Sequence, residues 1–374
     1  MWKIPLFDLN FGEEEKQAVI KLIDSKWISM GEKTFEFEKK FSELTGIKHC
    51  FAVTNCTAAL HMALVVMDIK EGDEVIVPSL TFAATVNCVK YVNATPVFAD
   101  IKSYEDLTID PEDIEKKIKP NTKALIVMHY GGFACDMDKL EEICRKYNLC
   151  LIEDAAHSPF STYKEKKLGN FGDVSAFSFF SNKNITTAEG GMVCTNNDEK
   201  AKRLKLIRSH GMTTMSYERF KGHATKYDIE EIGYNYRIDD LRSAIGLVQL
   251  SKLKLDVEKR IKLVKRYNEN LKGIDKIIIP FFGKENSSSN YIYSIVLSEK
   301  ANIQRDELRE KLAENGIQTS VHYPAVHEFT CYKSKTKLPK TEYVSENEIT
   351  LPLYFSMTEE NVDFVCDNLK EIIR

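Results

Sequence analysis

The sequence predicts an α/β protein: a large domain with a mostly parallel sheet flanked by helices, followed by a smaller C-terminal α+β domain. Three observations carry that prediction. Short apolar runs that turn polar at their C-terminal ends alternate with helix-period segments over the first two-thirds of the chain. The texture changes after about Leu250, where long charged helical patterns replace the alternation. A chain of 374 residues also exceeds the size at which one hydrophobic core usually stops growing. The expected division is therefore 1–250 and 251–374.

Taken in order, Asp73–Pro78, Thr95–Asp100, Lys123–Met128, Leu149–Asp154 and Val174–Phe179 read as strands buried on both faces of a parallel sheet. Between the third and fourth, Leu140, Ile143, Cys144 and Tyr147 share one stripe of a helix over Asp138–Tyr147. The polar turn at Thr54–Asn55 opens another helix, with Leu60, Leu64 and Met67 on its stripe. Past Leu250, Lys252–Leu271 reads as a connecting helix and Tyr291–Leu297 as a strand. Arg305–Asn315 is a helix stopped by Gly316, and Glu359–Ile373 closes the chain. Gly283–Asn290, with its run of serines, is the expected flexible loop.

Composition excludes several functions. A net charge of −4 argues against general nucleic-acid binding, which needs a basic surface to neutralise phosphates. Nine cysteines without a CxxC pair look like reduced packing residues, and eight histidines without HExxH give no metal site. No apolar run reaches membrane-spanning length, and the N-terminus lacks a secretory apolar segment, so no membrane association and a cytoplasmic address are expected.

The residues that can carry chemistry lie where parallel-sheet proteins bind ligands, beyond the carboxyl ends of the strands. Lys183 follows a buried strand and precedes Gly190–Gly191, where backbone can approach a ligand closely. Desolvation there would lower its pKa and free the amine for a Schiff base; the plainer reading is a solvated loop lysine. Asp154 ends a strand and could hold a protonated pyridine nitrogen, or merely cap a turn. The helix opening at Asn55–Cys56–Thr57–Ala58 offers free amides and a positive dipole end to a phosphate.

Together these segments resemble the DegT/DnrJ/EryC1/StrS family of pyridoxal-phosphate-dependent nucleotide-sugar aminotransferases, which have the fold-type I architecture. The resemblance runs from about Pro5 to the C-terminus and rests on ordered motifs. These are Trp27–Gly31 before Phe37–Glu38, Asn55–Leu60, Pro78–Phe82, Glu153–His157, Ser178–Gly191, His210–Met212 and Gly233–Arg237.

The resemblance implies that Lys183 forms the Schiff base with pyridoxal 5'-phosphate and then shuttles protons, while Asp154 partners the pyridinium nitrogen. His157, where many members carry Gln, would lie beside the cofactor's phenolic oxygen and could titrate. Phe82 would stack on the pyridine ring, against a plainer role in helix packing. Thr57, Ala58 and Ser178 match the phosphate cradle, with Asn55–Cys56–Thr57 departing from the commoner Ser-Gly-Thr. Asn235 matches a phosphate ligand donated by the neighbouring subunit, which implies a homodimer with a shared active site. Ser29, Met30 and Arg237 are candidate substrate contacts, as are His322 and Tyr323 in a segment that borders the sugar pocket. The Trp27–Gly31 segment would approach the same pocket, and Glu189 would brace the lysine loop. Lys200–Lys226, with eight Lys or Arg against Glu218 alone, could attract a nucleotide diphosphate or could be a solvated helix and loop.

The activity so implied moves an amino group from L-glutamate to a nucleotide-linked ketosugar, with a 4-keto-6-deoxy sugar favoured. A 3-keto sugar or keto-cyclitol substrate and a non-enzymatic regulatory role are the alternatives. A family dehydratase would carry His in place of Lys183.

Overall fold

The computed structural model of the chain describes residues 2–213, 226–332 and 334–374. Helices α1 (Glu13–Asp24) and α2 (Glu32–Thr45) lead into β1 (His49–Val53) and α3 (Cys56–Val66). Alternation follows through β2 (Glu74–Pro78), α4 (Ala84–Tyr91), β3 (Thr95–Ala99), α5 (Pro111–Lys117), β4 (Thr122–Met128), α6 (Met137–Tyr147) and β5 (Cys150–Asp154). A small hairpin of β6 (Thr162–Tyr163) and β7 (Lys166–Lys167) precedes β8 (Val174–Ser178), β9 (Gly191–Thr195) and α7 (Asp198–Ile207). Seven strands form one sheet in the order β1-β9-β8-β5-β4-β2-β3, with β9 antiparallel to both neighbours and the other pairings parallel.

Alternate residues of each strand feed opposite layers, which is why the strands read as continuous apolar runs. Val75, Val77, Ala124 and Ile126 pack with α3, α4 and α7, whereas Ile76, Leu125 and Val127 pack with α5 and α6. On the second face, near β1, β8 and β9, an aromatic cluster seals α2 to the sheet. There Phe41 lies edge-on to Phe177 at 4.9 Å and Phe37 contacts Phe179 at 5.2 Å.

The long helix α8 (Asp240–Leu271) starts at Asp240, not at Lys252 as the apolar stripe suggested. Its first turns bury Asp240, Ser243, Gly246 and Gln249, a polar face that the sequence pattern could not register as core. At about 48 Å it packs on α1 and α2 first and on the last helix further along, so residue 250 falls inside it.

The C-terminal part contains β10 (Ile277–Ile278), β11 (Tyr293–Leu297), α9 (Arg305–Glu314), α10 (Pro339–Asn347), β12 (Glu348–Leu351) and α11 (Glu359–Ile373). Strands β10, β11 and β12 form an antiparallel sheet over a core of their own, to which Ile4 from the N-terminus also belongs. The loop expected at Gly283–Asn290 is exposed at Gly283, Lys284, Asn286 and Ser287 but packed and bonded at its end, where Ser288, Ser289 and Asn290 are buried. Ser289 N–H donates to Ser161 Oγ at 2.8 Å, Ser289 Oγ donates to the His157 carbonyl, and Asn290 Nδ2 donates to the Glu285 carbonyl at 2.8 Å. Small hydroxyl side chains were used there to satisfy buried backbone rather than to face water. Among the described residues, no helix is long and apolar enough to cross a membrane.

Candidate active site

Lys183 lies in the loop from β8 to β9, which is closed by Phe179 N–H to the Gly190 carbonyl and Thr187 N–H to the Phe179 carbonyl, both 2.9 Å. Asn184, next in sequence, is buried and donates to Asp256 Oδ2 (3.3 Å) and the Ser289 carbonyl (2.9 Å). The loop is therefore anchored from both sides of its lysine. Lys183 Nζ lies 3.9 Å from the centre of the Tyr291 ring. Burial lowers its pKa to about 7, while Cys56 and Asp154 pull the other way. The solvated-lysine reading does not hold.

Asp154 is buried at the end of β5. Its Oδ2 accepts from Thr85 Oγ1 at 2.7 Å and its Oδ1 from Ala156 N–H at 3.2 Å, leaving acceptor capacity on both oxygens. Burial raises its pKa, opposed by those two hydrogen bonds and by Lys183.

His157 differs from expectation. Gly131 N–H donates to Nδ1 at 3.3 Å, so the proton sits on Nε2, which donates to the Tyr323 hydroxyl at 2.9 Å. The ring also stacks on Tyr291 at 4.3 Å. Burial, with Lys183, His322 and His129 nearby, holds its pKa well below the usual histidine value. His157 is thus a neutral imidazole of fixed tautomer, and it does not titrate near neutral pH.

Lys183, Asp154, Thr57, Phe82, His157, Ser178, His322 and Tyr323 all line one cavity of about 430 Å³, together with Cys56, Tyr291 and Asn182. Phe82 is 61% exposed, with its ring beside Tyr323 and not packed under a helix. Ala58 does not fit its expected part: its N–H is already taken by the Asn55 side chain, which caps α3 at 2.8 Å. The amides of Cys56 and Thr57, in the first turn, have no intrahelical partner. Close approach here depends on Gly191, where an added Cβ would meet Asn55 C and Cys56 N at 2.6 Å.

Four predicted residues lie away from this cavity in the single chain. The Ser29–Met30 segment folds back on α8 because Asp240 ties Gly31 N–H (2.7 Å) and Thr34 N–H (2.9 Å), and Asp240 N–H binds the Ile28 carbonyl. Trp27 accordingly lines a separate, larger cavity of about 820 Å³ between α1, α2 and α8. That space lacks the desolvated lysine, so the chemistry belongs to the smaller cavity. Asn235 pairs with Ser209 across a short bridge, and Arg237 donates to Ser209 Oγ at 2.9 Å. Glu189 lines the cavity, yet it braces the loop through its carbonyl, which accepts from Thr187 Oγ1 at 2.8 Å. The basic stretch is described only as far as Thr213 and again at Lys226; Glu218, Arg219, Lys221 and His223 lie outside the described residues.

Sequence reasoning missed Tyr291, Thr85, Glu348 and Thr350. Each acts through contacts between distant segments, and the only local sign was Tyr291 at the head of an apolar run.

The residues fit pyridoxal phosphate. A desolvated amine, a strand-end carboxylate with spare acceptor capacity, a helix N-terminus with free amides and an exposed aromatic ring face one space of suitable volume. Comparison with known proteins agrees. Residues 10–370 match the DegT/DnrJ/EryC1/StrS aminotransferase family. The spore coat polysaccharide biosynthesis protein SpsC of Bacillus subtilis is 37% identical over 371 residues, covering 97% of this chain and 95% of SpsC. Helicobacter pylori PseC, an aminotransferase involved in the biosynthesis of pseudoaminic acid, superposes with a TM-score of 0.89 at 30% identity, covering 100% of this chain and 98% of PseC. The PLP-form of the putative sugar aminotransferase Spr1654 from Streptococcus pneumoniae superposes with a TM-score of 0.90 at 30% identity, covering 100% of this chain and 98% of that one. This chain is a pyridoxal-phosphate-dependent sugar transaminase and belongs to the DegT/DnrJ/EryC1/StrS aminotransferase family.

Proposed function

We propose that this transaminase takes its amino group from L-glutamate and delivers it to the keto carbon of a nucleotide-linked sugar, with a 4-keto-6-deoxy sugar as the favoured acceptor. The observation that carries the reading is the desolvated Lys183 amine and the buried Asp154 carboxylate facing one cavity. When bound, pyridoxal phosphate supplies the carbonyl that accepts the amino group and the electron sink that stabilises the carbanion. Lys183 Nζ would hold the cofactor through its amine, and that nitrogen, once free, would be the base that takes the proton from the donor's α-carbon. The same nitrogen reverses that transfer for the sugar. Asp154 would keep the ring nitrogen of the bound cofactor protonated, and Thr85 and Ala156 hold Asp154 in place.

His157 and Tyr323 add neutral hydrogen-bonding groups without bringing charge into the site. Cys56 and Thr57 amides with the Thr57 and Ser178 hydroxyls form the phosphate seat. Ser29, Met30, Asn235 and Arg237 lie off their own cavity, which supports a homodimer in which they serve the partner's site.

The test is direct. Protein loaded with pyridoxal phosphate should absorb in the visible, and glutamate should bleach it with release of 2-oxoglutarate. A preparation that stays colourless with added cofactor contradicts the reading, as does one that glutamate leaves coloured.

A further inference from the structure

Glu348, on β12, is a fully buried carboxylate that the transamination chemistry above does not use. Three donors converge on it. Ser294 Oγ (2.7 Å) and Thr350 Oγ1 (2.6 Å) donate to Oε1, and His322 N–H (2.7 Å) donates to Oε2. A threonine hydroxyl has one proton, and with Glu348 ionised Thr350 gives it to the carboxylate. Its oxygen can then only accept from His322 Nδ1, 2.9 Å away. His322 must therefore carry its proton on Nδ1, which leaves the imidazole lone pair on Nε2. Among the described residues Nε2 has no hydrogen-bond partner, and it is not sealed from solvent. The backbone is held as well, since the Tyr130 hydroxyl donates to the His322 carbonyl. His322 lines the cavity that contains Lys183.

We propose that Glu348, acting through Thr350, is a positioning residue that fixes His322 as a hydrogen-bond acceptor at the cavity, and that His322 thereby selects a hydroxylated substrate over the dicarboxylate amino donor. The selection step rests on the sugar-aminating reading given above. Its chemistry follows from which partners can donate. Glutamate has one donor group, its amine, and that amine is engaged at the cofactor once exchange with Lys183 has occurred. The carboxylates that remain are acceptors, which a lone pair opposes. A sugar presents hydroxyl protons, and a site built to receive one rejects partners that lack it. Burial, followed by the nearby Lys183 charge, holds the His322 pKa at about 3, so protonation does not reverse the polarity.

The experiment uses cofactor-loaded full-length protein at about pH 8, above the value of about 7 to which burial raises Glu348. Long-range proton–nitrogen NMR reads the His322 tautomer, and the two half-reactions are followed separately by loss and recovery of the visible absorbance. The spectra should show Nδ1–H in the wild type and loss of that fixed tautomer in Thr350→Val. In His322→Phe the specificity constant for the sugar should fall relative to that for glutamate by about 10- to 100-fold. Thr350→Val should shift the ratio in the same direction by less.

An Nε2–H tautomer in the wild type overturns the relay. A ratio unchanged in His322→Phe, because both half-reactions fall together, overturns the selection. If glutamate reacts normally and no sugar is aminated, the sugar reading and the selection fail together, while the spectra still decide the relay.

Discussion

Lys183 Nζ lies 3.9 Å above the Tyr291 ring, and the same ring stacks on His157 at 4.3 Å, so one aromatic plate floors both the reactive amine and its neutral neighbour. Burial lowers the pKa of that amine. The cofactor-free protein should therefore condense with pyridoxal phosphate at a rate whose pH profile has its midpoint near 7, not near 10.5. Because the folded-state pKa is depressed, this group makes the cofactor-free fold more stable as pH rises from about 7 towards the unfolded value. A condensation midpoint at the ordinary lysine value would show that the amine is solvated. Lys183→Ala should keep the fold and stop turnover.

Asp154→Asn keeps a side chain of the same size beside Thr85 but removes the charge that, in the proposed role, would hold the ring nitrogen of bound pyridoxal phosphate protonated. Turnover should fall by about 100- to 1000-fold with thermal stability little changed. A loss below tenfold in steady-state kinetics would remove Asp154 from the electron-sink role.

Gly191→Ala would drive a methyl to within 2.6 Å of the Asn55 carbonyl carbon and the Cys56 nitrogen, both backbone atoms that cannot rotate away. The first turn of α3 must then shift from β9. Pyridoxal phosphate titration followed by absorbance should give a weaker Kd, by more than about tenfold, as expected for a displaced phosphate seat. An unchanged Kd would place the phosphate elsewhere.

Glu348 supplies a pH dependence of opposite sign to Lys183. Its pKa is raised from 4.5 to about 7, so the folded state holds its proton over that window while the unfolded state releases it. Stability from this group is fully present below about 4.5 and is lost as pH rises through about 7. Comparing denaturant unfolding at pH 5 and pH 8, the Glu348→Gln variant should lose less stability than the wild type, by a few kcal/mol. Equal losses would mean that Glu348 ionises at its ordinary pKa.

A shared active site predicts complementation. Lys183→Ala and Asn235→Ala subunits, each inactive as homodimers, should regain up to about a quarter of wild-type activity when mixed and reassembled, because half the dimers are hybrids and each hybrid holds one intact site. If Asn235 serves its own chain, every hybrid site carries a lesion and activity stays absent.

Much of the architecture was legible because parallel strands buried on both faces leave unbroken apolar runs. Asp154 was legible because it ends such a run, and Lys183 because it lies in the polar loop that follows one. The start of α8 was not legible, since its buried face is Asp240, Ser243 and Gln249, polar groups satisfied by partners more than 200 positions away in sequence. The buried serines at 288 and 289 misled for the same reason: their partners, Gly131 for Ser288 and His157 and Ser161 for Ser289, are visible only in the fold. Ala58 was misplaced because a helix N-terminus advertises free amides, whereas Asn55 uses this one as its cap.

The most direct measurement of the central claim is a single incubation of cofactor-loaded protein with L-glutamate and a panel of nucleotide-linked ketosugars and keto-cyclitols, with products read by mass and NMR. The expected product is an amino sugar still attached to its nucleotide, formed one-for-one with 2-oxoglutarate, and aminated at carbon 4. Consumption of glutamate with every nucleotide-linked ketosugar left unchanged would contradict that claim.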